Sequence, residues 1–243
     1  MHRFYVPQNS IAAGRASFSQ DQQRQLRNVL RMKPGDRAAI FDGSGREYGV
    51  EIELDESGRP AARVLDTSCP DTEPRVSLAI IQSLPRSDKL DLILQKCTEL
   101  GAAEFIVTTT ERSVARIASD KVEAKMERWR AIVREAAEQS GRVRLPSVES
   151  VLEYREALDR TLGSGAVLVA WERERDVELF SMLPRLRGET RVTMIVGPEG
   201  GLTAGEVEAA RESGATPISL GARTLRTETA AIAASAILIS ALG

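Results

Sequence analysis

From residue 76 onward the chain alternates short apolar runs with longer amphipathic stretches. That alternation predicts a parallel sheet with crossover helices. Residues 76–81, 105–109, 166–171, 192–196 and 217–220 read as buried strands. Residues 88–100 read as a helix with Leu90, Ile93, Leu94 and Cys97 on its inner face and Gly101 as its stop. Further helices are expected over 119–140, which is long and highly charged, and over 177–187, interrupted near Pro184. From Thr227 the last helix is apolar on nearly every side, with Ala230, Ala231, Ala233, Ala234 and Ala236 around Ile232, Ile237, Leu238 and Ile239. Such a helix must be buried all round.

Before residue 70 the pattern is different. A first strand is expected at 3–6, and Ser19 with Gln22 forms a capping box that opens a helix running to about Met32, stopped by Pro34-Gly35. Strands at 37–41 and 47–54 are joined by the hairpin signal Asp42-Gly43-Ser44-Gly45, and 61–65 supplies another. Two prolines between Cys69 and Pro74 mark the linker. The expected organisation is therefore a small β-rich domain, 1–70, followed by an α/β domain, 71–243.

Two strand ends in the second half deliver glycine-bearing loops. The first is Gly197-Pro198-Glu199-Gly200-Gly201, followed by a helix that Thr203 caps with Glu206 in a T-x-x-E box. The second is Leu220-Gly221-Ala222-Arg223-Thr224-Leu225-Arg226, leading into the last helix. Ligands of open parallel sheets bind at that edge. No Lys-Ser/Thr follows the glycines and G-x-G-x-x-G is missing, so neither phosphate cradle is supported. Glu199 would repel a phosphate. Its carboxylate suits a ligand with a neutral or cationic part, while an ordinary tight turn is the plainer reading of the first loop alone.

Composition narrows the chemistry further. The 42% apolar content supports a sizeable core, and aromatics at 4% argue against a broad base-stacking platform. Cys69 and Cys97 make no metal spacing and the single His is at position 2, so no metal site is expected. With no signal peptide and no apolar stretch long enough to span a bilayer, a cytoplasmic protein without a membrane partner is expected. Net charge is −2, yet basic residues cluster. Arg24, Arg27 and Arg31 share one expected helix face, and a second cluster includes Arg112, Arg116, Arg128, Arg142 and Arg144 among interleaved acids. Such runs are RNA-phosphate surfaces or solvated helix faces.

The blocks GPEGGLTAGEV and SLGARTLRTETAA resemble the carboxyl-terminal signature of the RsmE family, 16S ribosomal RNA uridine-N3 methyltransferases of the SPOUT (α/β-knot) superfamily. LDLILQKCTELGA, TERSV and EAAEQSGRVRLP are similar to other segments of that family, and QLRNVLRMKPGDRAAIFDGSGREYGVEI to its amino-terminal PUA-like domain. Gln25 stands where the family commonly has His. The resemblance implies a trefoil-knot α/β domain behind a PUA-like β-barrel, a homodimer built around the last helix, and 16S rRNA or the small ribosomal subunit as partner.

It also implies S-adenosylmethionine as cofactor, lying against Val196, Gly197, Pro198, Glu199, Gly200, Gly201, Leu220, Gly221, Leu225 and Thr227. Methylating N3 requires loss of its proton and stabilisation of charge on O2 and O4. Arg226 is the candidate for that charge, Glu228 or Glu199 for the base, and Arg24, Arg27, Arg31, Arg112 and Arg142 for RNA contact. Two rival readings stay open: a non-catalytic RNA-binding or assembly protein on a knot scaffold, and a knot methyltransferase with another RNA target.

Overall fold

The computed structural model describes residues 1–243 and separates into two compact units. One comprises residues 1–73 with 137–145, the other 74–136 with 146–243. The segment 137–145, which the sequence reading gave to the second domain, packs in the first unit.

The first unit holds a six-stranded sheet of β1 (Arg3–Tyr5), β2 (Ile11–Ala12), β3 (Arg15–Ser17), β4 (Arg37–Phe41), β5 (Glu47–Leu54) and β6 (Pro60–Ser68), in the order β1-β4-β5-β6-β3-β2. Only the β1–β4 pair is parallel. Phe4, Phe18, Leu26, Ile40, Val50 and Ile52 form its core, with Phe4 meeting Phe18 edge-on at 5.8 Å. Helix α1 (Gln20–Arg24) starts at the expected Ser19 capping box and widens into one π-helical turn, Gln25–Val29. The expected run to Met32 is not formed. Met32 N–H closes back on the Leu26 carbonyl six residues earlier at 2.9 Å, and Arg31 stands in the left-handed region at φ 52°. Arg31 thus leaves the helical register it was expected to share with Arg24 and Arg27.

A second correction concerns Arg142. It is 4% exposed, and its guanidinium donates to the Glu73 carboxylate at 2.7 Å. The same carboxylate accepts from the backbone N–H groups of Val143 (2.9 Å) and Arg144 (3.0 Å). Burial pushes the Glu73 carboxyl up, but these donors outweigh it and hold it below the ordinary carboxylate value. Arg142 is an internal ion-pair partner, closed to RNA, because 137–145 is folded onto the sheet through Phe41, Ala137 and Val143.

The second unit is an all-parallel sheet with helices between its strands. Its elements are β7 (Ser77–Ser83), α2 (Lys89–Leu100), β8 (Glu104–Thr109), α3 (Val122–Ser140), β9 (Ser147–Glu153), α4 (Tyr154–Asp159), β10 (Ala166–Ala170), α5 (Leu179–Leu186), β11 (Arg191–Val196), α6 (Ala204–Glu212), β12 (Thr216–Ile218) and α7 (Thr227–Leu242). Strand order is β12-β10-β11-β7-β8-β9. Ile81, Ile106, Val169, Ile195 and Leu202 pack into one core cluster of this unit. β11 thus returns late in the chain to lie between β10 and β7, and α7 lies against α2, α5, β7 and β11. Pro184 sits inside α5 without interrupting it. The carbonyl it leaves without an amide is that of Phe180, an exposed residue.

Candidate functional site

The carboxyl ends of β11, β10 and β12 share one edge of the sheet, because all three run parallel. Beyond β11 the first glycine loop turns tightly, with Gly201 N–H donating to the Pro198 carbonyl at 2.9 Å. Gly201 has φ 69°, a conformation that favours glycine. Gly197 does not, so its glycine requirement is one of space. A Cβ there would lie 3.0 Å from Leu202 Cγ and 3.1 Å from Leu202 N. A Cβ on Gly200 would meet the Arg112 side chain at 3.0 Å, and Arg112 itself donates to the Gly200 carbonyl at 3.0 Å.

The second loop is fastened to the first through Thr227. Its hydroxyl donates to the Gly197 carbonyl at 2.6 Å and accepts from the buried Gln82 amide at 3.0 Å. Gln82 comes from β7, the strand beside β11, so the two loops and the central strand meet at one hydroxyl. Within the second loop Ser219 Oγ accepts from Gly221 N–H at 3.2 Å, and Gly221 takes φ 109°.

Between the loops lies a cavity of about 460 Å³. Val196, Gly197, Pro198, Glu199, Gly200, Gly201, Leu220, Gly221, Leu225 and Thr227 all line it, as does Arg226. Trp171, Leu202 and Ala230 add apolar wall, while Lys89, Glu172, Arg175 and Arg223 add charge. Its volume suits a nucleoside-sized ligand. Backbone amides and carbonyls brought close by glycines, beside leucine walls, suit the edges and faces of an adenosyl group.

The charged groups behave differently from one another. Arg226 is exposed and meets no acceptor within the chain. Glu199 accepts from the Arg86 backbone N–H at 3.0 Å and from Lys89 Nζ at 2.9 Å. Burial pushes the Glu199 carboxyl up, but the hydrogen bonds from Lys89 and the backbone prevail and hold it below the ordinary value. That makes it a weak proton acceptor. Glu228 does not line the cavity, and its Oε2 is buried without a hydrogen-bond partner, 3.5 Å from Lys89 Nζ. The hydrogen bond to Glu199 raises the Lys89 pKa against the opposing effect of burial, so this residue stays a cation.

Lys89, Trp171, Glu172, Arg175 and Arg223 escaped the sequence reading. Lys89 was recoverable, since it opens the helix that follows β7, and β7 neighbours β11 in the same parallel sheet. Of the arginines expected at RNA, Arg24, Arg27, Arg31 and Arg112 are exposed. Arg24 reaches Asp21 at 3.4 Å, and Arg27 donates to the Gly58 carbonyl.

Comparison with known proteins agrees with this geometry. Residues 72–239 match the model of an RNA methyltransferase domain, and residues 20–60 match that of an RNA methyltransferase PUA domain. A ribosomal RNA small subunit methyltransferase E from Bacillus subtilis is 34% identical over 237 residues, covering 95% of this chain and 93% of its own. Its counterpart from Mycobacterium bovis is 33% identical, with coverage of 95% and 88%. The crystal structure of the Neisseria gonorrhoeae methyltransferase E bound to S-adenosyl methionine superposes with a TM-score of 0.90 at 34% identity. It covers 100% of this chain and 98% of that one.

Proposed function

The chain belongs to the ribosomal RNA small subunit methyltransferase E family, and we propose that it methylates N3 of a uridine in 16S rRNA with S-adenosylmethionine as donor. It has the family's α/β class, a trefoil-knot methyltransferase domain behind a PUA-like domain. The observation that carries the reading is the cavity between the two glycine loops, with an unpaired arginine at its mouth.

Bound in that cavity, S-adenosylmethionine supplies an electrophilic methyl group whose thioether leaves without protonation. The chain's residues orient the cofactor and favour the uracil anion. Gly197, Gly200 and Gly201 would let backbone polar groups approach the adenosyl edges, and Leu220 and Leu225 would offer it apolar walls. Arg226, at the amino end of α7, adds its charge to the helix's positive end and stabilises negative charge on the uracil oxygens. With the anion favoured, the N3 proton passes to solvent. Glu199 is too strongly held by its donors to serve as a ready base, and Glu228 does not line the cavity.

Arg24, Arg27 and Arg31 in the first unit, and Arg112 beside the first loop, are proposed RNA contacts. A cytoplasmic homodimer goes with this reading; no helix is long and apolar enough to cross a membrane. On α7, Ala230, Ala231, Ala234 and Leu238 are buried, while Ala233, Ala236 and Ile237 are only half-covered. A small-residue apolar face of this kind suits a second copy of the chain. The test is methylation of 16S rRNA, as naked RNA and as assembled subunit, by the purified protein, read by mass spectrometry of the nucleosides. N3-methyluridine is expected, and its absence with either substrate would overturn the reading.

A further inference from the structure

Lys89 is the one cationic side chain lining the cavity that is itself held between two carboxylates. An ammonium group carries three N–H donors and no acceptor. Glu199 Oε1 takes one at 2.9 Å, while Glu228 Oε2, 3.5 Å away, attracts the ammonium by charge and takes no hydrogen bond. No other acceptor in the chain meets the remaining two. The side chain keeps 30% of its exposure, and Lys89 lines the cavity. Its nitrogen is therefore held between α7 and the first glycine loop, with hydrogens left to donate to whatever enters.

The neighbours exclude other readings of this arrangement. Glu199 and Glu228 are the charged groups facing Lys89 from the loop after β11 and from α7, and both favour the ammonium form. A proton-accepting role is thus closed to it. Nor is Lys89 needed simply to hold the loop, because Glu199 also accepts from the Arg86 backbone N–H, a bond that survives loss of the lysine. What remains is donation to an acceptor. Lys89, Arg175, Arg223 and Arg226 outnumber Glu172, Glu199 and the adjacent Glu228, so the cavity admits an oxyanion despite Glu199, and a charged donor is strongest toward one.

We propose that Lys89 donates a free ammonium hydrogen to an oxyanion of the bound reactants. This inference rests on the methyltransferase reading above, in which two oxyanions enter the cavity. They are the carboxylate of the cofactor's methionine end and the oxygen of the deprotonated uracil. The two sources share one chemistry and separate experimentally.

The test uses the full chain with Lys89→Met, its fold checked by circular dichroism and thermal melting. Calorimetry is run with S-adenosylmethionine and with decarboxylated S-adenosylmethionine, beside single-turnover methylation at saturating cofactor. If Lys89 holds the carboxylate, the variant binds S-adenosylmethionine about tenfold or more weakly, as expected for loss of a charged hydrogen bond. The decarboxylated compound then binds wild type and variant alike. If Lys89 holds the uracil oxygen, both affinities stay unchanged while the single-turnover rate falls by about tenfold or more, and Lys89→Arg recovers part of it. Equal losses of affinity for both compounds would overturn the proposal, since Lys89 would then only shape the loop. So would unchanged affinity and rate. Lys89→Gln, neutral but still able to donate to Glu199, takes the same measurements if Lys89→Met does not fold. Should wild type bind S-adenosylmethionine yet make no N3-methyluridine, the proposed function fails while the carboxylate arm still reads.

Discussion

The two glycine loops lie side by side at one sheet edge, yet the helices they feed begin in opposite ways. At α6 the Thr203 hydroxyl accepts from Glu206 N–H at 3.2 Å, and the Glu206 carboxylate accepts from Thr203 N–H at 2.8 Å. Glu206 also accepts from Glu111 N–H at 2.8 Å, which ties the loop after β8 to the same point. At α7 the N-cap is Arg226, whose side chain caps nothing, and the hydroxyl of Thr227 is turned back to Gly197 and Gln82. One helix start satisfies itself. The other leaves its dipole and an unpaired guanidinium facing outward. The first loop is thus a closed scaffold, and the second is where donors remain for a reactant.

The largest effect should come from the open end. Arg226→Ala should lower the single-turnover rate by about a hundredfold or more, as loss of one oxyanion-directed donor typically does. Cofactor affinity should hardly move, because a group acting on the uracil anion contributes only after the cofactor is in place. Parallel calorimetry decides the point. A collapse of affinity in step with rate would make the second loop a scaffold too, and the contrast would vanish.

The closed loop should fail differently. In Gly197→Val the added side chain presses on Leu202 and the Gly201 carbon, 3.0 to 3.2 Å from where Cβ must lie. Such overpacking costs about 1–3 kcal/mol, and here the loop can relieve it by moving into the cavity. Binding of S-adenosylmethionine should weaken by about tenfold or more, with the far-ultraviolet circular dichroism of the folded chain retained. Normal binding by a folded variant would place the cofactor elsewhere.

Much of this was legible in the chain, and the exceptions have physical causes. The capping boxes at Ser19 and Thr203 were readable because each is a local exchange between residues three apart. The central strands announced themselves as unbroken apolar runs, since a parallel sheet buries both faces. Strand β9 did not, because Ser147–Glu153 is an edge strand with acids at Glu149 and Glu153 and a half-exposed pattern. Arg142 read as a surface cation until Glu73, some seventy positions away, proved to be its partner. No local pattern carries a pairing at that separation. The same holds for Lys89, whose carboxylates arrive from two other elements, and for Thr227, whose hydroxyl is used at Gly197 and not at its own helix.

Thr227→Val probes the joint between the loops. The replacement keeps the shape and β-branching but leaves the Gly197 carbonyl without its 2.6 Å donor. Leaving a buried acceptor unsatisfied costs about 1–3 kcal/mol. Here the Gly197 carbonyl still has the Gln82 amide as a long donor at 3.5 Å, and Gln82 keeps its bond to the Ser83 carbonyl at 2.8 Å, which should hold the loss toward the lower end. Urea unfolding should show the lowered stability, and calorimetry a weakening of cofactor binding of no more than about tenfold. Unchanged stability would mean that the joint is already satisfied by other groups.

The smallest effect should come from Thr203→Ala, and it is the most discriminating for the contrast. The variant removes the hydroxyl that accepts from Glu206 N–H, a cap worth about 1 kcal/mol. For a chain of this size that lowers the melting temperature by about 2–4 °C. The Glu206 carboxylate still accepts from the backbone N–H groups of Thr203 and Glu111, so the path of the loop is kept. Thr203 does not line the cofactor cavity. Cofactor affinity and single-turnover rate should therefore match wild type, in contrast to Thr227→Val, which should disturb binding. If Thr203→Ala weakens cofactor binding as much as Thr227→Val does, the two helix starts are coupled into one ligand-holding unit. The division between a closed scaffold and an open reacting end would then have to be given up.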